Sequence, residues 1–551
     1  MNPTDEIRIP MRDGVELAAE LYLPPGGERY PSLLRKTPYD RRRESILPEI
    51  EGLVEAGYAV VVASFRGRFG SGGRFHPWYS QGWLRHEDGY DAIEWVAAQP
   101  WSTGAVGTYG VSADGQTQLT TAPTRPPSLK AMLVSYGADP RVGIMNGGAI
   151  TSTGPQWYEK HETFSVPLRT TEDWEFWLEQ WRDTGLPLLA SFIHPSLMEP
   201  LEQYAATDYW EEIDASTRHE DFGVPVLYEC GWYDRYTGSS FAHFQGVREH
   251  AKDEAVRAGQ RVICGPWVHG GPMAPAGEEV VYGDSAVVDR IAMHVRWFDH
   301  WLKGVDNGVE DEPALNLYVL GADEWVGIET WPPRAEVATF HLRGGDGTAN
   351  GSLNGGRLTP EPPAGEDPDE YEHDPYDPLP SIGGHGGTGW IWPAGALDQR
   401  PVEARSLTFT TDPLDADLRV VGDPVLVLHA ASSAVDTDFV ATISRVHSSG
   451  YSEPLQQRTV RARYRDGYTE PKLMEPGRVH EMELALGPIA FDVPAGDRLR
   501  LTIASSSFPA VIPNAGTAEP PHLATRGVVA RNSVFHDAAH PSRLILPLGA
   551  A

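Results

Sequence analysis

Apolar and polar residues alternate from Ile7 to Leu23 (IRIPMRDGVELAAELYL), with Asp13-Gly14 in the middle, and this pattern predicts two strands joined by a tight turn. Four further apolar runs read as strands: Pro31 to Leu34, Tyr58 to Ser64, Ala105 to Tyr109 and Leu129 to Tyr136. His86 to Gln99, between them, has helical spacing, and strands alternating with helices predict a parallel sheet. Between about Asp139 and Gly223 the pattern changes to longer helical stretches rich in tryptophan and tyrosine, WYEKHETF, EDWEFWLEQWRD and ATDYWEEI, expected to form a helical insertion. Strand-like runs resume at Pro225 to Glu229 and Gln260 to Cys264, followed by an amphipathic helix around Val288 to Lys303.

From about Pro332 short alternating runs dominate (ATFHLR, SLTFTT, PVLVLHA, HEMELAL, RLRLTIA), separated by glycine, proline and aspartate turns, which predicts a β-sandwich or jelly roll. Thr359 to Gly387, rich in proline, glycine and acid, is expected as a long connection within it. The expected division is an α/β unit from residues 1–140 and 224–332, a helical cap at 141–223 and a β domain at 333–551. A chain of 551 residues needs several cores in any case.

Composition narrows the partners. The formal net charge of -32 repels phosphate backbones and anionic lipid surfaces, so nucleic acid and membranes are not expected partners. No run of about 18 apolar residues and no N-terminal basic-then-apolar segment is seen, and a cytoplasmic location is the expectation. Two cysteines, Cys230 and Cys264, cannot make a disulfide framework. A homo-oligomer is compatible with all of this.

The candidate chemistry starts at AVGTYGVSADGQ, where Ser112 stands between a short buried strand and a helical stretch, with Gly110 and Gly115 around it. That is the setting of a nucleophile elbow, in which small residues let backbones crowd and the serine hydroxyl is exposed. The spacing is G-x-S-x-x-G, and a serine after a strand also serves as a helix cap, so partners must decide. A serine nucleophile needs a base, and the base an orienting carboxylate, which follow it in the order acid then histidine. GWYD ends at Asp234 just beyond one strand and GPWVH ends at His269 just beyond the next, both at the sheet edge where α/β proteins place their sites. The cysteines precede Asp234 by four residues and His269 by five, so they are expected as neighbouring core positions.

GVSADG, GWYD and GPWVH, with RKTPYD before them and RWFDHWLKG after, resemble the cocaine esterase-like (CocE/NonD) family of acyl hydrolases, relatives of the X-Pro dipeptidyl-peptidases. The resemblance continues through SSAVDTDFVATI, VRARYRDG and PAGDRLRLTIASSSFP, nearly the whole chain. It implies an α/β-hydrolase fold with a helical cap and a C-terminal jelly roll, and a serine hydrolase that cleaves an ester of a small acyl substrate. It also implies an oxyanion hole made by the Tyr39 hydroxyl and the Ala113 backbone N–H. The family usually carries tyrosine directly after the nucleophile, whereas here Ala113 and Asp114 follow, which changes the pocket beside the serine.

Asp114, Trp157, Tyr158 and Trp232 are taken as candidate pocket residues, with Trp174, Phe176, Trp177 and Trp181 as further cap aromatics. The glycine-rich RGRFGSGGRF lacks the Lys-Ser/Thr ending of a phosphate loop, and EDPDEYEHDPYDP lacks the spacing of an EF-hand, so no cofactor or metal is expected. An amidase or Xaa-Pro peptidase, with cap acids Glu159, Glu162 and Asp208 available to hold an amino terminus, is the alternative within the class. A non-catalytic jelly-roll binder is the alternative outside it.

Overall fold

The computed structural model describes residues 1–27, 29–76, 79–83, 86–152, 157, 171–187, 201–202, 209–210, 213–345, 353–385 and 393–549. The predicted hairpin forms from β1 (Asp5–Pro10) and β2 (Glu16–Tyr22), with Ile7 opposite Ala19. Eight strands extend it: β3 (Tyr30–Thr37), β4 (Ala59–Ser64), β5 (Ser102–Val111), β6 (Leu129–Ser135), β7 (Val226–Gly231), β8 (Arg261–Gly265), β9 (Leu315–Val319) and β10 (Glu324–Ile328). Their order across the sheet is β1-β2-β4-β3-β5-β6-β7-β8-β9-β10. Pairing is parallel from β4 to β9 and antiparallel at both ends.

Helices cover both faces, which is why the central strands read as unbroken apolar runs. In β4, Val60 and Val62 pack with α1 (Leu47–Glu55) and α6 (Arg290–Lys303) through Ile50, Leu53, Trp297 and Phe298. Val61 and Ala63 face the opposite way, into the apolar cluster on the side of α2 (Asp88–Ala97), α3 (Ala113–Thr121) and α5 (Thr237–His250), which takes in Ile93, Leu119 and Phe244. Each such buried valine contributes about 1.5–3 kcal/mol. Cys230 and Cys264, free and buried, are register partners on β7 and β8.

The C-terminal part is a jelly-roll domain whose thirteen strands, from Glu336 to Leu548, form one hydrogen-bonded system. Thr359 to Gly387, expected as a connection, contains the strand Asp369–His373, paired antiparallel with Ala530–Phe535. Asp369, Tyr371 and His373 point inward while Glu370 and Glu372 point out, so the period was present but carried by polar residues.

The cap helix α4 (Thr171–Thr184) docks on this domain: Trp177 stacks on Phe508 at 6.2 Å between ring centroids, and Trp181 Nε1 donates to Ala524 O at 3.1 Å. Most of WYEKHETF and ATDYWEEI lies outside the described residues. Among the described residues no helix is long and apolar enough to cross a membrane.

Candidate active site

The elbow forms where β5 runs into α3. Ser112 adopts φ 63°, ψ −122°, a conformation that costs a non-glycine residue about 1–3 kcal/mol and is held by its surroundings. Its N–H donates to Ser135 O at 2.9 Å, and its carbonyl accepts from Gly115 and Gln116 N–H at 2.8 Å. Glycine is required on both sides: a Cβ on Gly110 would sit 2.5 Å from Asp114 Cβ, and one on Gly115 would sit 3.0 Å from Ser135 O. The first amide of α3, Ala113 N–H, has no intrahelical acceptor and lies directly beyond the serine.

Two loops bring the partners to the same edge. Beyond β7, Asp234 is buried; beyond β8, His269 Nδ1 lies 3.2 Å from Asp234 Oδ1. His269 Nε2 is buried with no hydrogen-bond partner among the described residues. Two tyrosines, neither expected from sequence, hold the imidazole edge to face: Tyr136 at 5.8 Å and Tyr236 at 5.2 Å between centroids. Tyr136 follows Ser135, the residue that accepts from Ser112 N–H, so serine and histidine adjoin the same dipeptide. Its position at the end of a strand on the site edge was the one signal in the sequence.

Tyr39, in the loop after β3, accepts from Trp157 Nε1 at 2.9 Å. Burial, reinforced by the Asp114 carboxylate, pushes its phenol up to about 12, so it remains a protonated donor at neutral pH. The Arg43 guanidinium lies over its ring at 5.1 Å.

Two pocket candidates are corrected. Asp114 is wholly buried and paired with Arg35 Nε at 2.7 Å and Arg43 Nη2 at 3.1 Å, so its charge is consumed inside the protein. Trp232 is also wholly buried; its Nε1 donates to Tyr318 O at 2.6 Å and its ring packs near Phe241. Trp157 does reach the site through Tyr39, whereas Phe176 is exposed and Trp177 and Trp181 serve cap docking. Tyr158, Glu159, Glu162 and Asp208 lie outside the described residues, as does the side chain of Trp174.

The C-terminal domain also reaches the site. His385 Nδ1 accepts from Gln457 N–H at 3.2 Å. Burial pushes its pKa down to about 4, which keeps it neutral. Tyr464, Phe508 and Ile512 share one apolar cluster with Ala113, Ile144, Met145 and Trp210.

The sheet order is that of the α/β-hydrolase fold, and the chain's relatives make it a hydrolase of the serine esterase and S15 peptidase type. Residues 13–271 match the X-Pro dipeptidyl-peptidase (S15 family) and residues 307–545 the X-Pro dipeptidyl-peptidase C-terminal non-catalytic domain. The chain is 30% identical to cocaine esterase from Rhodococcus sp. (strain MB1 Bresler), over 98% of each chain, and it belongs to the cocaine esterase-like (CocE/NonD) family. Its fold resembles that of an aminopeptidase from a marine sediment Thaumarchaeota archaeon (TM-score 0.82, 24% identity, 99% and 97% of the two chains). It also resembles an α-amino acid ester hydrolase (TM-score 0.81, 23% identity, 99% and 96%).

Proposed function

We propose that the protein hydrolyses carboxylic esters of small acyl substrates through an acyl-enzyme on Ser112. The observation that carries this reading is the buried Asp234–His269 pair, with Nε2 uncommitted, at the same sheet edge as a serine in a strained elbow. Asp234 holds the Nδ1–H tautomer; His269 Nε2 takes the Ser112 proton as the hydroxyl attacks the carbonyl. The Tyr39 hydroxyl and Ala113 N–H receive the oxyanion, helped by the positive end of α3. His269 then protonates the leaving alkoxide, and water repeats the sequence in reverse to release the acid.

The identity to an enzyme named cocaine esterase supports ester over amide cleavage. The S15 match favours a second reading, an amidase or Xaa-Pro peptidase. Turnover of a p-nitrophenyl ester against an Ala-Pro anilide separates them, and faster anilide cleavage would defeat the esterase reading. A fluorophosphonate probe tests the triad itself: it should label the enzyme and not Ser112→Ala, and equal labelling of both would remove Ser112 as nucleophile. Two free, buried thiols support a reducing, cytoplasmic setting. The two matches, 13–271 and 307–545, support a catalytic unit followed by a separate β domain, within which we place the cap at 141–223 and the start of the β domain near 333.

A further inference from the structure

A chain of seven charges runs along the catalytic edge of the sheet on the α1 and α6 side. At the histidine end, Arg290 Nη1 donates to the carbonyl of Gly270, the residue after His269, at 3.1 Å. Its guanidinium lies 5.8 Å from the ring centroid of Tyr136, the ring that meets His269. The same guanidinium forks onto Glu229, Nη2 to Oε2 at 2.8 Å and Nε to Oε1. Glu229 also accepts from the Ser135 hydroxyl at 2.7 Å, and the Ser135 carbonyl accepts from Ser112 N–H. His294 stands next, 3.5 Å from Glu229 and 3.1 Å from Glu49. Glu49 pairs with Arg35 at 2.7 Å, Arg35 with Asp114, and Asp114 with Arg43, which covers Tyr39.

The signs alternate from Arg290 to Arg43 when His294 is protonated. Burial opposes that proton, but Glu229 and Glu49 outweigh it and raise the His294 pKa. The same surroundings hold both glutamates down at about 2 against their burial, Glu49 through His294 and Arg35, Glu229 through Arg290 and His294. Each of the three carboxylates is therefore clamped between two cations. None can turn away without leaving a buried charge short of its partner. The chain reaches from β3 to β7, three strand spacings or about 14 Å, and so ties the histidine loop to the serine elbow and the oxyanion tyrosine.

The geometry points to Arg290, Glu229 and His294 as positioning residues that set the distance between His269 and Ser112 from beneath. This rests on the assignment of those two residues given above. A displacement of about 1 Å between nucleophile and base can cost on the order of 10²-fold in rate, so a strut that fixes it acts on kcat and leaves substrate affinity alone.

The test uses the full-length enzyme, p-nitrophenyl acetate and the fluorophosphonate probe. His294→Gln removes the cation that Glu229 and Glu49 share, leaving each with one arginine and facing the other's charge, and should lower kcat about 10- to 100-fold with KM within about twofold, while probe labelling slows in parallel. Adding Glu49→Gln removes one of the two facing carboxylates and should recover at least about fivefold of the kcat loss, a rescue that a packing defect would not show. If His294→Gln does not fold, Arg290→Lys carries the same test, because an ammonium cannot fork onto Glu229 and also reach Gly270 O. Wild-type kcat and labelling in the variants, or no recovery in the double variant, would overturn the inference while leaving the triad intact. Failure of the probe to label the unsubstituted enzyme would overturn the triad assignment first, and this inference with it.

Discussion

Tyr39→Phe isolates one oxygen. The hydroxyl it removes accepts from Trp157 Nε1 at 2.9 Å and is the proposed donor to the oxyanion. The ring would keep its edge contact with Trp157, 6.4 Å between centroids, and its place under Arg43. Loss of one of two oxyanion donors should cut kcat about 10²- to 10³-fold, about 2.7–4 kcal/mol, with KM within about twofold because the ground-state carbonyl gains little from the donor. The orphaned indole N–H adds a stability cost toward the low end of about 1–3 kcal/mol, since Trp157 is only half-buried and water can replace the acceptor. Steady-state kinetics on a p-nitrophenyl ester, with thermal unfolding as control, reads both. A folded variant that loses less than about fivefold in kcat would mean that the oxyanion is held elsewhere. A raised KM at unchanged kcat would make Tyr39 a binding residue instead. Because its phenol is pushed up to about 12, Tyr39 should contribute no loss of kcat in the wild-type enzyme up to roughly pH 10.

Asp114→Asn should destabilise the fold by about 3–5 kcal/mol in a denaturant titration, because Arg35 and Arg43 lose their shared carboxylate; a change under about 1 kcal/mol would show the pair to be dispensable. Glu49 and Glu229 are held at about 2 against 4.5 in an unfolded chain, so their contribution to stability is complete above about 4.5 and fades as pH falls toward 2. Glu49→Gln should therefore flatten the acid limb of stability between those values, and an unchanged limb would refute the linkage. Trp177→Ala removes the stack on Phe508 and should speed proteolysis within the cap while the main unfolding transition stays in place; equal cleavage rates would show that the stack does not hold the cap.

The sheet was legible because both of its faces are buried: runs such as AVVVAS admit no other reading once helices flank them. The elbow was legible because its geometry is local, needing glycine two residues before and three after the serine of a crowded turn. What failed was the direction of side chains just past the strand ends, in the first turn of α3 and in the loop after β7. Asp114 and Trp232 stand beside proposed catalytic residues in sequence, yet Arg35 lies 79 residues before Asp114 and Tyr318 lies 86 residues after Trp232. Those partners claim both side chains for the interior, and no local pattern announces them. Asp369–His373 failed for a different reason, since an inward face made of aspartate, tyrosine and histidine carries the strand period without hydrophobicity.

The walls of the site come from elsewhere than its chemistry. Ser112, Asp234 and His269 stand on three strand ends of one rigid sheet, whereas the apolar surface around Ala113 is shared by the cap through Trp177 and Trp210 and by the jelly roll through Tyr464 and Phe508. Substitutions in those two parts can reshape the acyl pocket without moving the proposed triad. Trp157 breaks that separation. Its indole bonds the Tyr39 hydroxyl, so a displacement of the cap reaches the oxyanion donor itself. With Tyr39 as the proposed oxyanion donor, the fit of a substrate against the cap would bear on the rate of acyl transfer as well as on binding, because the tryptophan that bonds this donor belongs to the cap.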